Sequence, residues 1–196
     1  MVALRKLPFT RMTLDEFLNW DPEDPTGVPW QLIDGEPVAM APGSATHGTI
    51  QAELARLLGN HLLERFPCRA IIEAGVVPQA RSDMNYRIPD IAVTREPPTA
   101  DQMVHAPLLL IEVLSPSNEI ETNANIWAFT TIPSVREILS IHSTRIAASL
   151  LRRNADGNWP DNPIPLGPDD MLTLDSIGFA VPLRACYRTT VLATAR

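Results

Sequence analysis

Tyr86-Arg-Ile-Pro-Asp90-Ile-Ala-Val-Thr94 and Pro107-Leu-Leu-Leu-Ile-Glu112-Val-Leu-Ser-Pro-Ser117, separated by a polar loop, decide how this chain reads. Each contains a short apolar run of β-favouring residues, Ile91 to Thr94 and Leu108 to Leu114, bounded by proline and too short for a helix. Both therefore read as buried, neighbouring strands. Each also carries one carboxylate, Asp90 or Glu112. An ionised carboxylate in an apolar strand is costly to bury unless something positive meets it, and no Lys or Arg lies inside either strand. A divalent cation is the natural partner, because paired carboxylates offer hard oxygens of the kind Mg²⁺ takes. For Asp90 the alternative is a strand-end carboxylate that faces solvent or caps a loop. For Glu112 that alternative is weaker, since Leu109, Ile111, Val113 and Leu114 surround it.

Outward from this centre the pattern alternates between strands and helices. Thr13-Leu-Asp-Glu16 is a capping box opening a short helix to Trp20, with Leu14, Phe17 and Leu18 as its inward face. Asp34-Gly35 is a hairpin turn between Trp30–Ile33 and Glu36–Met40, which puts Glu36 at the first position after a tight turn. From Ala45 to Phe66, apolar residues recur at helical spacing until Pro67; Ser44 or Thr46 caps this helix, with His47 in its first turn. Residues 70 to 77 read as a strand with a bend at Gly75. Asn118 with Glu121 opens a helix that ends at Pro133, and Trp127 and Phe129 read as core packing on it. Arg136–Ile141 and Arg145–Leu151 form a second hairpin. The prolines from Pro160 to Pro168 break the tail, which has short apolar pieces at 171–174 and 179–183. The expected fold is α/β, a mixed central sheet flanked by helices, with β-hairpin additions towards both termini.

The 196 residues fit one domain, 1–196, with a core at about 28–152 and a proline-rich extension at 153–196. A hydrophobic share of 45% and a charged share of 20% are those of a globular protein, which argues against wholesale disorder. No apolar run has membrane-spanning length and no signal segment opens the chain, so a cytoplasmic location is the default expectation. Cys68 and Cys186 have no partners at metal-ligand spacing and read as reduced bystanders. A net charge of −7 argues against coating nucleic acid through many phosphate contacts. The arginines gathered in the last third, Arg145, Arg152, Arg153, Arg184, Arg188 and Arg196, leave a local basic face as an alternative to scattered solvated charges.

The pair Pro89-Asp90 followed by Glu112-Val-Leu114 resembles the PD-(D/E)XK nuclease superfamily. Leu110-Ile-Glu-Val-Leu-Ser-Pro-Ser117 is similar to one bacterial branch of it, the Uma-type, restriction-endonuclease-like proteins, over about Thr13 to about Leu151. The resemblance implies a restriction-endonuclease-like core and metal-dependent hydrolysis of DNA, with Mg²⁺ or Mn²⁺ held by Asp90, Glu112 and the backbone carbonyl of Val113. It also implies an acidic contribution from the Asp-Gly-Glu turn, Glu36, and a homodimer by analogy with restriction-type enzymes.

The chain departs from the motif at its lysine. That position, two residues after the glutamate, is Leu114, and the helical position used by the branch falls near Ile126. Lys6 is the single lysine of the sequence. Arg87 and Arg136 are the nearest cations in sequence, although arginine is a poor proton acceptor. His47 has the pKa range for general-base work, against the plainer reading of a structural histidine in a helix's first turn. The missing lysine also keeps open a catalytically silent nuclease-fold protein that binds nucleic acid or a protein partner. Ser115-Pro-Ser117 lacks the turn of a nucleophile elbow and reads as a strand end and helix cap.

Overall fold

The structure, a computed structural model, describes residues 11–100, 103–116 and 119–194, without the side chains of 119–121. The expected helix start at Asn118 and the residues Lys6 and Arg196 lie outside them.

The two carboxylate runs are adjacent strands of a six-stranded sheet. Its strands are β3 (Arg69–Ile72), β4 (Ile91–Thr94), β5 (Pro107–Leu114), β6 (Glu137–His142), β7 (Ala148–Arg152) and β8 (Ile164–Leu166), in spatial order β3-β4-β5-β6-β7-β8. All neighbours are antiparallel except β5 and β6, which run parallel with Glu112 opposite Ser140 and Leu114 opposite His142. A parallel pair needs a crossover, and α3 (Glu119–Thr130) lies in it.

Alternation along β5 sorts its side chains into two layers. Leu109, Ile111 and Val113 join Leu139 and Ile141 against Ile50, Leu54 and Leu58 of α2 (Ala45–Leu62). Leu110 joins Ala92, Ile138 and Phe129 on the α3 side. Glu112 and Leu114, in step with Leu110, belong to that second face.

Ser44 rather than Thr46 caps α2, its Oγ accepting from the His47 N–H at 3.2 Å. The helix ends at Leu62, short of the expected Phe66, which is left 80% exposed. At the other helix, Phe129 is buried but Trp127 is 65% exposed, which corrects its reading as core: residues two apart on a helix face roughly opposite sides.

The N-terminal hairpin, β1 (Trp30–Ile33) and β2 (Glu36–Ala39), forms as expected. Asp34 and Gly35 both take positive φ, the paired geometry of the tight turn that Asp-Gly favours. It packs with the capping-box helix α1 (Leu14–Leu18) through Phe17, Leu32, Tyr86 and Ile88. Leu18, expected inward, is 40% exposed because the helix stops there after little more than one turn. β3 is shorter than the expected 70–77: Glu73 takes φ +50 and turns the chain out of the ladder. Gly75 then lets the Tyr86 ring through, since a Cβ there would fall 1.9 Å from Tyr86 Cζ.

Beyond residue 152 the chain returns to the sheet. β8 forms its edge, β9 (Met171–Leu174) and β10 (Phe179–Pro182) form the expected C-terminal hairpin, and a 3₁₀ helix follows at Leu183–Tyr187. Leu172, Leu174, Phe179, Leu183 and Tyr187 all join the α2-side core. No described helix is long and apolar enough to cross a membrane.

Candidate active site

At the C-terminal end of β5, the sheet opens into a cavity of about 410 Å³ lined by Asp90, Glu112, Glu73, His47, Gln51 and Asn125 among others. Asp90 sits one residue before β4 and is 6% exposed; Glu112 is on β5 and 5% exposed. The antiparallel register pairs Ile91 with Ile111, which brings Asp90 and Glu112 opposite each other one step beyond that pair.

Both oxygens of Asp90 are fastened. The Val113 N–H donates to Oδ2 at 2.6 Å, and His47 Nε2 lies 2.8 Å from Oδ1. The motif strand thus holds the aspartate through its backbone, and the first turn of α2 holds it through a side chain. Burial alone would lower the His47 pKa. The hydrogen bond to Asp90, the charges of Asp90 and Glu73 and a backbone hydrogen bond to Val113 outweigh it and keep the imidazole above its ordinary range. His47 is a cation-leaning group clamped on a carboxylate.

Gln51, one turn further along α2, donates to the Asp90 carbonyl at 3.1 Å and to Glu73 Oε1 at 3.2 Å. Glu112 Oε1 accepts from Asn125 Nδ2 of α3 at 3.3 Å, and Asn125 Oδ1 accepts from Arg87 Nη1 at 2.9 Å. Arg87 also donates to Asn85 Oδ1 at 3.0 Å, in a buried setting. A guanidinium therefore acts on Glu112 through one amide.

Asp90, Glu112, Val113 and His47 come together. Glu36 does not: it is exposed beside the hairpin turn, paired with Ile33 and outside the cavity lining. The hairpin meets the cavity at its other end, through Gln31 and Met40, and each strand residue adds about 3.3 Å of separation. The acidic neighbour that the fold supplies is Glu73. Of the candidate cations, Arg87 reaches the site through Asn125. Arg136 is exposed beside Leu108, at the far end of β5.

Glu73 carried the same signal as Glu112, a carboxylate inside an apolar run. Gln51 broke the apolar face of α2 one turn after His47. Asn125 gave no signal of its own.

The late arginines do not assemble a basic face among the described residues. Arg152 pairs with Glu137 and Asp175, Arg184 with Asp169 and Arg188 with Glu53, while Arg153 donates to the carbonyls of Val135, Thr130 and Gly157 and lies over Trp159.

Comparison with known proteins bears on the family and the fold. The family model "Uma2: Putative restriction endonuclease" matches residues 14–184. An uncharacterized protein of Synechocystis sp. is 30% identical over 184 residues, covering 92% of this chain and 94% of its own length. The crystal structure of "a putative nuclease belonging to DUF820" from Anabaena variabilis superposes with a TM-score of 0.73, covering 90% of this chain and 97% of that one. At 19% identity that likeness establishes a shared, nuclease-like fold. On the extent of the family match, the chain belongs to the Uma2 family of restriction-endonuclease-like proteins.

Proposed function

We propose that this protein is a metal-dependent endonuclease hydrolysing DNA phosphodiester bonds, with Mg²⁺ or Mn²⁺ held by Asp90, Glu112 and the Val113 carbonyl. The observation that carries the reading is the carboxylate pair itself: two buried acidic side chains opposite each other just past the Ile91–Ile111 pair, lining one cavity. The donor set suits a hard cation that keeps several waters and takes only one or two protein carboxylates. Such an ion, when bound, makes water acidic enough to act as a nucleophile and neutralises charge at the phosphorus.

The chain's own residues do the rest. Val113 N–H and His47 fix Asp90, while Asn125, braced by Arg87, fixes Glu112. His47 meets Asp90 through Nε2, and its raised pKa favours keeping a proton on the ring. Its raised pKa suits donating or holding that proton better than taking one.

Nicking of supercoiled plasmid with Mg²⁺ or Mn²⁺ tests the reading. Wild type is expected to nick; Asp90→Asn and Glu112→Gln are expected to lose more than about 100-fold, beyond the 10–100-fold typical of a supporting group. Equal nicking by wild type and Glu112→Gln would overturn it. One observation favours a second reading, a silent nuclease fold that binds without cutting: both Asp90 oxygens already have protein donors, in a chain without the motif lysine. Retained binding without any nicking would select it. A homodimer is proposed on the analogy with restriction-type enzymes. Light scattering is expected to return twice the 21.6 kDa chain mass, and a purely monomeric species would remove it.

A further inference from the structure

Beside the candidate active site a second, smaller hollow of about 100 Å³ is lined by Leu114, Ser115, Pro116, His142, Thr144 and Arg145. Ser115 lines both hollows, so the two adjoin at the end of β5. The alternation that puts Ile138 on the α3 side and Leu139 and Ile141 on the α2 side also puts His142 on the α3 side, the face of Glu112. His142 pairs with Leu114, two residues beyond the pairing of Glu112 with Ser140. Strand spacing and rise put His142 roughly 8 Å from Glu112, Cα to Cα.

The chemistry of the hollow is cationic. Arg145 is exposed, its Nη2 lies 3.0 Å from His142 Nε2, and no carboxylate pairs with it among the described residues. Arg152, Arg184 and Arg188 are all taken up by acids. The guanidinium donates to the imidazole and keeps further N–H groups for an outside acceptor. The exposed Thr144 hydroxyl stands next to it. A chain with a net charge of −7 must meet a polyanion through a few such local cations.

We propose that Arg145, oriented by His142 and joined by Thr144, is a phosphate subsite for duplex DNA, receiving a backbone phosphate next to the one at Asp90 and Glu112. It rests on the nuclease reading for its ligand. The two hollows lie along the same end of β5, so the phosphate adjoining the one at the carboxylates is the one this guanidinium would meet. A guanidinium suits the role because its donors match phosphate oxygens in pairs.

The test is fluorescence anisotropy of the full-length protein with a fluorescein-labelled 20-base-pair duplex in EDTA, across a salt series. Arg145→Ala is expected to bind several-fold more weakly on every duplex sequence and to lower the salt slope by about one. Arg145→Lys is expected to restore the slope but not the full affinity, having charge without the paired donors. Arg136→Ala, which removes an exposed arginine at the far end of β5, is expected to leave both unchanged. An Arg145→Ala slope equal to wild type, or no duplex binding by wild type, overturns the subsite. Plasmid nicking by wild type and Asp90→Asn is scored in parallel. Nicking with an unchanged Arg145→Ala slope would sink the subsite alone, and an Arg145-dependent slope without nicking would sink the enzyme alone.

Discussion

Asn125 shows why the site needs an amide where the sequence pattern leads one to look for a lysine. Its Oδ1 accepts from Arg87 and its Nδ2 donates to Glu112, and an amide does both from one rigid plane. Asn125→Asp keeps the shape, still accepts from Arg87 and turns a donor to Glu112 into a like charge. On the nuclease reading it is expected to lower plasmid nicking about 10–100-fold, the range for groups that orient metal-bound carboxylates. The same variant at native helix content by circular dichroism but with wild-type nicking would remove Asn125 from the site. Asp90 and Glu112 were legible because a charge within an apolar strand contradicts its surroundings. Asn125 was not, since an amide on a helix looks like any solvated residue until a neighbouring strand is packed beside it. Glu36 misled for a related reason: Asp-Gly fixes the hairpin but not which of its ends meets the rest of the molecule.

At the scale of elements, periodicity and punctuation located what they act on directly. β4 spans Ile91–Thr94 as expected, and β5 begins one residue earlier than expected, at Pro107. β8 was hidden because Ile164-Pro-Leu166 contains a proline, which only an edge strand tolerates, and nothing local says where an edge is. The seam between α2 and the C-terminal 3₁₀ helix was hidden too. There the buried Glu53 accepts from Arg56 at 2.7 Å and from Arg188 at 3.0 Å, 135 residues away. These partners, with Arg56 the stronger, hold the Glu53 carboxyl down to about 2. A carboxylate whose pKa is lower folded than unfolded adds stability above its unfolded value of about 4.5, and that stability is lost as pH falls towards about 2. Because both arginines are substantially exposed, screening trims the effect. Urea midpoints measured from pH 6 down to 2.5 are expected to fall less steeply in Glu53→Gln than in wild type. Parallel curves would show that the seam contributes no linkage.

The whole molecule is closed by its last quarter, which a sequence reading sets aside as a proline-broken extension. Leu172, Leu174, Ile177, Phe179, Leu183, Cys186 and Tyr187 are each at most 3% exposed and join the same cluster as α2 and β5. Burial of such side chains contributes about 1.5–3 kcal/mol each, so the group supplies roughly 10–20 kcal/mol of gross stabilisation, against the 5–15 kcal/mol net stability of a typical domain. The Tyr187 hydroxyl adds a tie, donating to the His142 carbonyl at 2.8 Å at the end of β6. The strand leading to the Arg145 turn is therefore anchored by the chain's C-terminal region. Individual short apolar pieces gave no hint of this, because their pattern reports what is buried and not against which partner. A chain truncated after Asn154 is expected to lose its cooperative thermal transition and its near-ultraviolet circular dichroism, and with them any duplex binding. Retention of a sharp transition by the truncated chain would mean that α2, β5 and the carboxylate pair are held without their C-terminal cover.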